Sequence, residues 1–218
     1  EHEIVMFDHL LSDIATHFGT PTLMAAIGSG AAGATSVQSY LNGPAVGLAK
    51  SARDELMVRL LETFDLDAAT LRSEWDIYLE PHDIEGFADF GLDVGNHTAS
   101  HTRVRTLSAE EAQYEIAGAK SRLERLAGRP VRSFSVPYGA GADLTCAASR
   151  ALLDSGHDVA FLCYGRRTSV NLHHRADGLR VWDRLPLDNV AVIDLPRQLT
   201  YQPVYRGFKD AMRRSLIA

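Results

Sequence analysis

With 218 residues, 45% of them hydrophobic and 23% charged, the chain has the means to bury one sizeable core, and its composition excludes wholesale disorder. The formal charge of −6 comes with basic residues scattered rather than gathered into a stripe, which argues against a nucleic-acid partner. No run reaches the roughly eighteen apolar residues that a membrane span needs, so no membrane span is expected either.

In chain order, a recurring unit stands out: a helix-like stretch, a glycine, then a short apolar run. Phe7, Leu10, Leu11, Ile14 and Phe18 share one helical face, with His9 and His17 on the polar side. Gly19 closes that helix, and Thr22 to Ile27 are expected as a buried strand. Residues 28–79 break the rhythm and read as an inserted loop-and-helix cap. Within it, Gly28 to Gly47 is rich in Gly, Ala and Ser without a period, and Arg53 to Phe64 is helical.

Pro81 opens the next helix, with Ile84 and Phe87 inward and Gly91 at its end. Leu92 to Val94 are expected as a strand that closes on Gly95-Asn96. Ser108 and Glu111 form a capping box for a helix whose inner face is Ala112, Ile116, Leu123 and Leu126. Gly128 and Pro130 end it. Val131 to Val136 then read as a strand, Ala142 to Ser155 as a helix, and Val159 to Leu162 as a strand after Gly156. Arg166 to Asp177 is polar and turn-rich. Such alternation implies parallel strands with helices outside, so the fold class is α/β, either barrel-like or doubly wound. A single domain over 1–218 is expected. Cys146 and Cys163 fall in apolar settings and read as buried free thiols. A first residue of Glu rather than Met reads as a mature or excised piece, so the compartment stays open.

Functional groups in parallel α/β proteins gather where strands end. Two such ends carry chemistry-bearing residues: Gly95-Asn96-His97-Thr98-Ala99-Ser100-His101 and Val136-Pro137-Tyr138-Gly139. Four residues apart on a helical turn, His97 and His101 share a face and reach one ion at about 2.0 to 2.1 Å. The plainer alternative is a pair of solvated or capping histidines, but the location immediately after a strand, among small residues, favours the metal. By itself the Pro-Tyr-Gly run is an ordinary turn. His82 and His157 lie in helix-start and turn contexts and read as structural.

Together these segments resemble the polysaccharide deacetylases of the NodB homology group. Gly95 to His101 is similar to that family's His-Ser/Thr-x-x-His metal motif, and Phe134-Ser135-Val136-Pro137-Tyr138-Gly139 is similar to its Pro-Tyr-Gly groove motif. Phe7 to Ile27 resembles its first helix and second strand. The resemblance implies a (β/α) barrel of fewer than eight complete units, with its first strand missing from this chain. It also implies a divalent metal, zinc above all, held by two His and one Asp, and a polysaccharide or oligosaccharide substrate that loses N-acetyl or O-acetyl groups. Carried over by residue, His97 and His101 are metal ligands, and the Tyr138 backbone N–H is the oxyanion donor. Pro137, Tyr138, Gly139 and Asn96 then contact the substrate.

The departures are specific. The family's Asp-Asp pair falls at or before residue 1, where only Glu1 and Glu3 stand nearby. Ser135 replaces an arginine that many relatives carry. The family's late general-acid histidine has His173 and His174 as its candidates, in a segment that also reads as an exposed loop. Trp75 and Tyr78 read as anchors of the cap, with stacking on a sugar ring as the alternative. Three functions follow: a metal-dependent deacetylase, a non-catalytic carbohydrate-binding or structural module on the same barrel, and a hydrolase of small amides.

Overall fold

The computed structural model describes residues 5–75, 78–139, 141–163 and 178–183. Helix α1 (Phe7–Phe18) buries Phe7, Leu10, Leu11 and Ile14 as its spacing dictates, while Phe18 stays 44% exposed with its ring 4.7 Å from that of Phe64. Gly19 adopts φ +89° and its N–H bonds Ala15 O, so α1 stops and the chain enters α2 (Thr20–Ile27) directly. The expected strand Thr22 to Ile27 is therefore a helix. Pro21 sits in its first turn, where the missing N–H is harmless. Leu23 and Ile27, four residues apart, are the buried pair. A short apolar run between two glycines fits either structure, and here helical spacing supplies the contacts.

Among the described residues, the segment 28–79 holds three α-helices and two 3-10 turns. A Ser36–Ser39 capping box opens α3 (Val37–Asn42), and α4 (Lys50–Thr63) and α5 (Ala68–Trp75) follow. Tyr40, Leu41, Leu56, Leu60 and Leu71 from this segment join Leu10, Leu11, Ile14 and Leu23 in one apolar cluster. Trp75 and Tyr78 anchor the segment to α1: Trp75 Nε1 donates to Asp13 Oδ1 at 3.0 Å, and the Tyr78 hydroxyl lies 3.1 Å from the donating Met6 N–H and 3.0 Å from His9 Nδ1.

After α6 (Pro81–Gly86) and a 3-10 turn over Phe87–Phe90, Gly91 takes a left-handed conformation, φ +69°. Leu92 to Val94 do not form the expected strand. Leu92 is 51% exposed, and pairing begins only at Asn96, which makes an isolated parallel bridge with Phe134. The Ser108–Glu111 capping box is present and starts α7 (Ala109–Ala112). The helix widens into a π-helical turn, Gln113–Gly118, continues as α8 (Ala119–Ala127), and ends on left-handed Gly128.

Strands β1 (Ser133–Ser135), β2 (Val159–Leu162) and β3 (Arg180–Asp183) form a parallel sheet in the order β1-β2-β3. Helix α9 (Cys146–Asp154) crosses from β1 to β2. Ile116, Phe134, Val136, Leu152, Ala160 and Leu179 form a second apolar cluster around this sheet. The architecture is thus mixed helix and parallel sheet, with one core in the helical segment and one at the sheet. Cys146 is exposed in the first turn of α9 and Cys163 is intermediate, so neither is the buried thiol expected. Cys146 opens α9 ahead of its buried residues Ala148, Ser149 and Leu152, and Cys163 lies just past the end of β2. Among the described residues no helix is long and apolar enough to cross a membrane.

Candidate functional site

The site is made by register. Asn96 N–H donates to Ser133 O at 2.9 Å and Ser135 N–H donates to Asn96 O at 2.8 Å, which lays residues 95–96 parallel to β1. Gly95 makes the approach possible, since a Cβ there would stand 2.9 Å from Ser133 Oγ. Parallel neighbours leave a sheet at the same end. The segment after Asn96 and the turn after Ser135 therefore emerge together, and their rings meet: His97 and His101 have centroids 4.8 Å apart, and His101 and Tyr138 also 4.8 Å.

The stretch 97–101 is an irregular loop, not the helical turn expected. Convergence of the imidazoles comes instead from left-handed backbone, with Thr98 at φ +65° and His101 at φ +55°. Tyr138, across from them, is at φ +60°. Such conformations cost on the order of 1–3 kcal/mol each in non-glycine residues and persist where the surroundings impose them.

Both imidazoles are oriented through Nδ1. His97 Nδ1 lies 2.7 Å from Ser135 O. A carbonyl only accepts, so Nδ1 carries the hydrogen and the neutral ring holds its lone pair on Nε2. His101 Nδ1 lies 3.3 Å from Asp8 Oδ2 on α1, and a carboxylate imposes the same tautomer. Burial pushes the Asp8 carboxyl up, but the hydrogen bond and charge of His101 outweigh it and leave the group below its ordinary value. A metal-binding histidine has this arrangement, one ring nitrogen held by an outer acceptor and the other presented. The two rings thus fit a two-nitrogen clamp. Among the described residues no group of three His, Cys, Asp or Glu side chains could hold a metal ion, so the two rings by themselves would make up only half of the ligand set that a four-coordinate zinc ion needs.

Around the clamp, Arg103 stacks over the Tyr138 ring at 4.0 Å and pairs with buried Asp143 at 3.0 Å, which also takes Arg105 at 3.2 Å. Burial, with the Asp8 charge adding, pushes the Tyr138 phenol up. Pro137 and Gly139 are buried. Gly139 lies so close to the end of β2 that a Cβ would stand 2.3 Å from Cys163 N. Asn96 is 0% exposed, and its Nδ2 donates to Ile116 O at 2.9 Å and toward His157 Nε2 at 3.2 Å. Its amide NH2 is thus committed to the fold, while Oδ1 is buried with no hydrogen-bond partner among the described residues. A small crevice of about 20 Å³, partly open to solvent, runs past Phe7, Arg53, Thr102, Arg103 and Tyr138. A larger groove of about 470 Å³ between the π-helical turn and α9 is lined by neither histidine.

His173, His174, Glu1 and Glu3 lie outside the described residues. Sequence reasoning missed Asp8, Arg53, Ser100, Arg103, Glu115 and Asp143. Only Glu115 carried a signal, as a charge one position from Ile116 and three from Ala112 on an otherwise apolar helix face.

A sequence model of the polysaccharide deacetylase family matches residues 42–153, and the chain belongs to that family. Its members are hydrolases of amide carbon–nitrogen bonds. Over 51 residues the chain is 43% identical to a chitooligosaccharide deacetylase of Azorhizobium caulinodans, a match spanning 23% of this chain and 24% of that protein. The chain therefore matches about a quarter of that curated relative's length. Two solved structures also align. A polysaccharide deacetylase from Bacillus cereus has a TM-score of 0.46 at 19% identity, over 57% of this chain and 38% of that one. The deacetylase PplD of Streptococcus pyogenes, in complex with acetate, has a TM-score of 0.46 at 12% identity, over 91% and 89%.

Proposed function

We propose that this chain carries the metal-binding part of a deacetylase site that removes N-acetyl groups from an amino-sugar polymer or oligomer, on a (β/α) barrel-type fold. The observation that carries this reading is the ring sequence His97, His101, Tyr138 at 4.8 Å steps, with His97 Nδ1 locked by Ser135 O so that Nε2 faces away. A bound zinc ion would supply Lewis-acid polarisation of the acetyl carbonyl and activation of water. In this reading His97 and His101 hold the ion through Nε2, Asp8 and Ser135 O keep the two rings in the required tautomer, and the Tyr138 N–H takes the developing oxyanion charge. Pro137, Tyr138 and Gly139 shape the groove for the sugar, while Asn96 secures the base of the histidine loop rather than the sugar itself.

The test is zinc content and acetate release from an N-acetylglucosamine oligomer by the full-length protein. His97→Ala is expected to abolish both, and a variant that kept both would overturn the assignment. A second reading, a carbohydrate-binding module on the same fold, draws on the incomplete ligand set among the described residues. Under that reading the wild-type protein binds the oligomer and releases no acetate.

A further inference from the structure

Both proposed ligands lie in an irregular loop with left-handed residues at Thr98 and His101, so something outside the loop must fix its shape. Glu115 does so from behind. It is 0% exposed and lies on the π-helical turn Gln113–Gly118, a distortion that re-aims side chains relative to a regular helix and is frequent at functional sites. Its Oε2 accepts from the N–H groups of both Ala99 and Ser100 at 2.9 Å, and its Oε1 accepts from Ser100 Oγ at 2.7 Å. From α4, Arg53 Nη2 donates to the same Ser100 Oγ at 2.7 Å, and Lys50 Nζ stands 3.8 Å from Oε1.

One carboxylate therefore takes the N–H groups of Ala99 and Ser100, the third and fourth residues of the five-residue loop, and the Ser100 hydroxyl. An apolar residue packed beside Ile116 would fill the same space without burying a charge, and burying a carboxylate costs several kcal/mol unless its partners compensate. Such an apolar residue would, however, leave the Ala99 and Ser100 N–H groups without this acceptor, so the glutamate is matched to the loop rather than to the apolar face around it.

We propose that Glu115 is a positioning residue of the histidine site: it sets the separation and aim of His97 and His101 without touching ion or substrate. The inference rests on the metal reading above. Two substitutions separate reach from charge. In Glu115→Gln the amide oxygen accepts from both N–H groups and the NH2 donates to Ser100 Oγ, so the geometry survives and the charge is lost. In Glu115→Asp the charge survives, but the carboxylate is one methylene short of the loop.

The measurement is zinc affinity of the full-length protein by chelator competition, with the visible spectrum of the Co2+ form and circular dichroism to confirm folding. Glu115→Asp is expected to weaken zinc binding about 10- to 100-fold, the range for outer-shell partners, and to shift the Co2+ bands. Glu115→Gln is expected to stay near the wild type in both. Wild-type affinity and spectrum in folded Glu115→Asp, or the reverse ranking of the two variants, overturns the role while leaving the metal reading intact. Absence of zinc binding by the wild-type protein overturns both. Should Glu115→Asp fail to fold, Ser100→Ala, which removes only the Oγ link, carries the same expectation of weakened zinc binding and shifted bands.

Discussion

Acidification is expected to cost this protein roughly 3 kcal/mol of folding stability through His157 alone. The side chain is 1% exposed and sits edge-on to Phe134, centroids 5.6 Å apart. Nδ1 lies 2.9 Å from Ser155 Oγ, whose own hydrogen goes to Ala151 O at 2.8 Å, so Nδ1 is the donor. That leaves Nε2 to accept from Asn96 Nδ2 at 3.2 Å. Protonation must therefore occur on the nitrogen that already faces an N–H. Burial above all, with Lys120 adding, lowers the pKa from 6.5 to about 4, against upward pulls from the Leu152 hydrogen bond and the charges of Glu124 and Asp158. Between those two values the unfolded chain binds the proton and the folded chain does not, so stability rises with pH across the window. It is fully present above about 6.5 and is lost as pH falls through about 4. At about 1.4 kcal/mol per pH unit the gap amounts to roughly 3 kcal/mol. Urea unfolding of the wild type and of His157→Gln across this range isolates the effect, because the carboxylates titrate in both proteins. The stability difference in favour of the wild type is expected to shrink by that amount toward pH 4. A difference that stays constant with pH, or an NMR titration of His157 near 6.5, would refute the reasoning.

Two further expectations concern the frame of the site. Gly139→Ala places a Cβ 2.3 Å from Cys163 N at φ +65°, combining overpacking with left-handed strain, and should lower stability by roughly 3 kcal/mol or more; a midpoint in urea equal to the wild type's would contradict this close approach. Ser108→Ala removes the hydroxyl that accepts from Glu111 N–H at 3.2 Å and should cost about 1 kcal/mol, read as a lowered melting temperature with zinc affinity unchanged.

The parts of the chain legible in its sequence are those governed by local rules. The capping box at Ser108, the glycine stops at Gly19, Gly91 and Gly128, the inward face of α1 and the strand Val159–Leu162 need only near neighbours to specify them. Thr22 to Ile27 was misread because an apolar run between glycines has no periodicity that separates a strand from a buried helix. Leu92 to Val94 was misread because Leu-Asp-Val between two glycines makes no ladder when pairing with the neighbouring strand begins only at Asn96. At the site, His97, His101 and Tyr138 were legible as residue types after strand ends. Asp8 was not, since its role depends on α1 being carried to within 3.3 Å of a histidine ninety-three positions away, and nothing in FDHLL announces that.

The seam between the two apolar clusters supports a functional site independently of any motif. Asp8 meets His101 across it, Arg53 meets Ser100, Lys50 approaches Glu115, and Arg105 reaches Val46 O at 3.2 Å. A seam chosen for stability alone would be apolar, because replacing buried ion pairs with well-packed hydrophobic groups is often neutral or stabilising by about 1–4 kcal/mol. Three of these four contacts end on the histidine loop or on the carboxylate that holds it, and left-handed backbone at Thr98, His101 and Tyr138 falls at the same place. Polar burial and backbone strain both work against folding. Their coincidence around two imidazoles is what is expected where geometry has been kept at the expense of stability, and it supports the proposal that the chemistry of this chain sits at that loop.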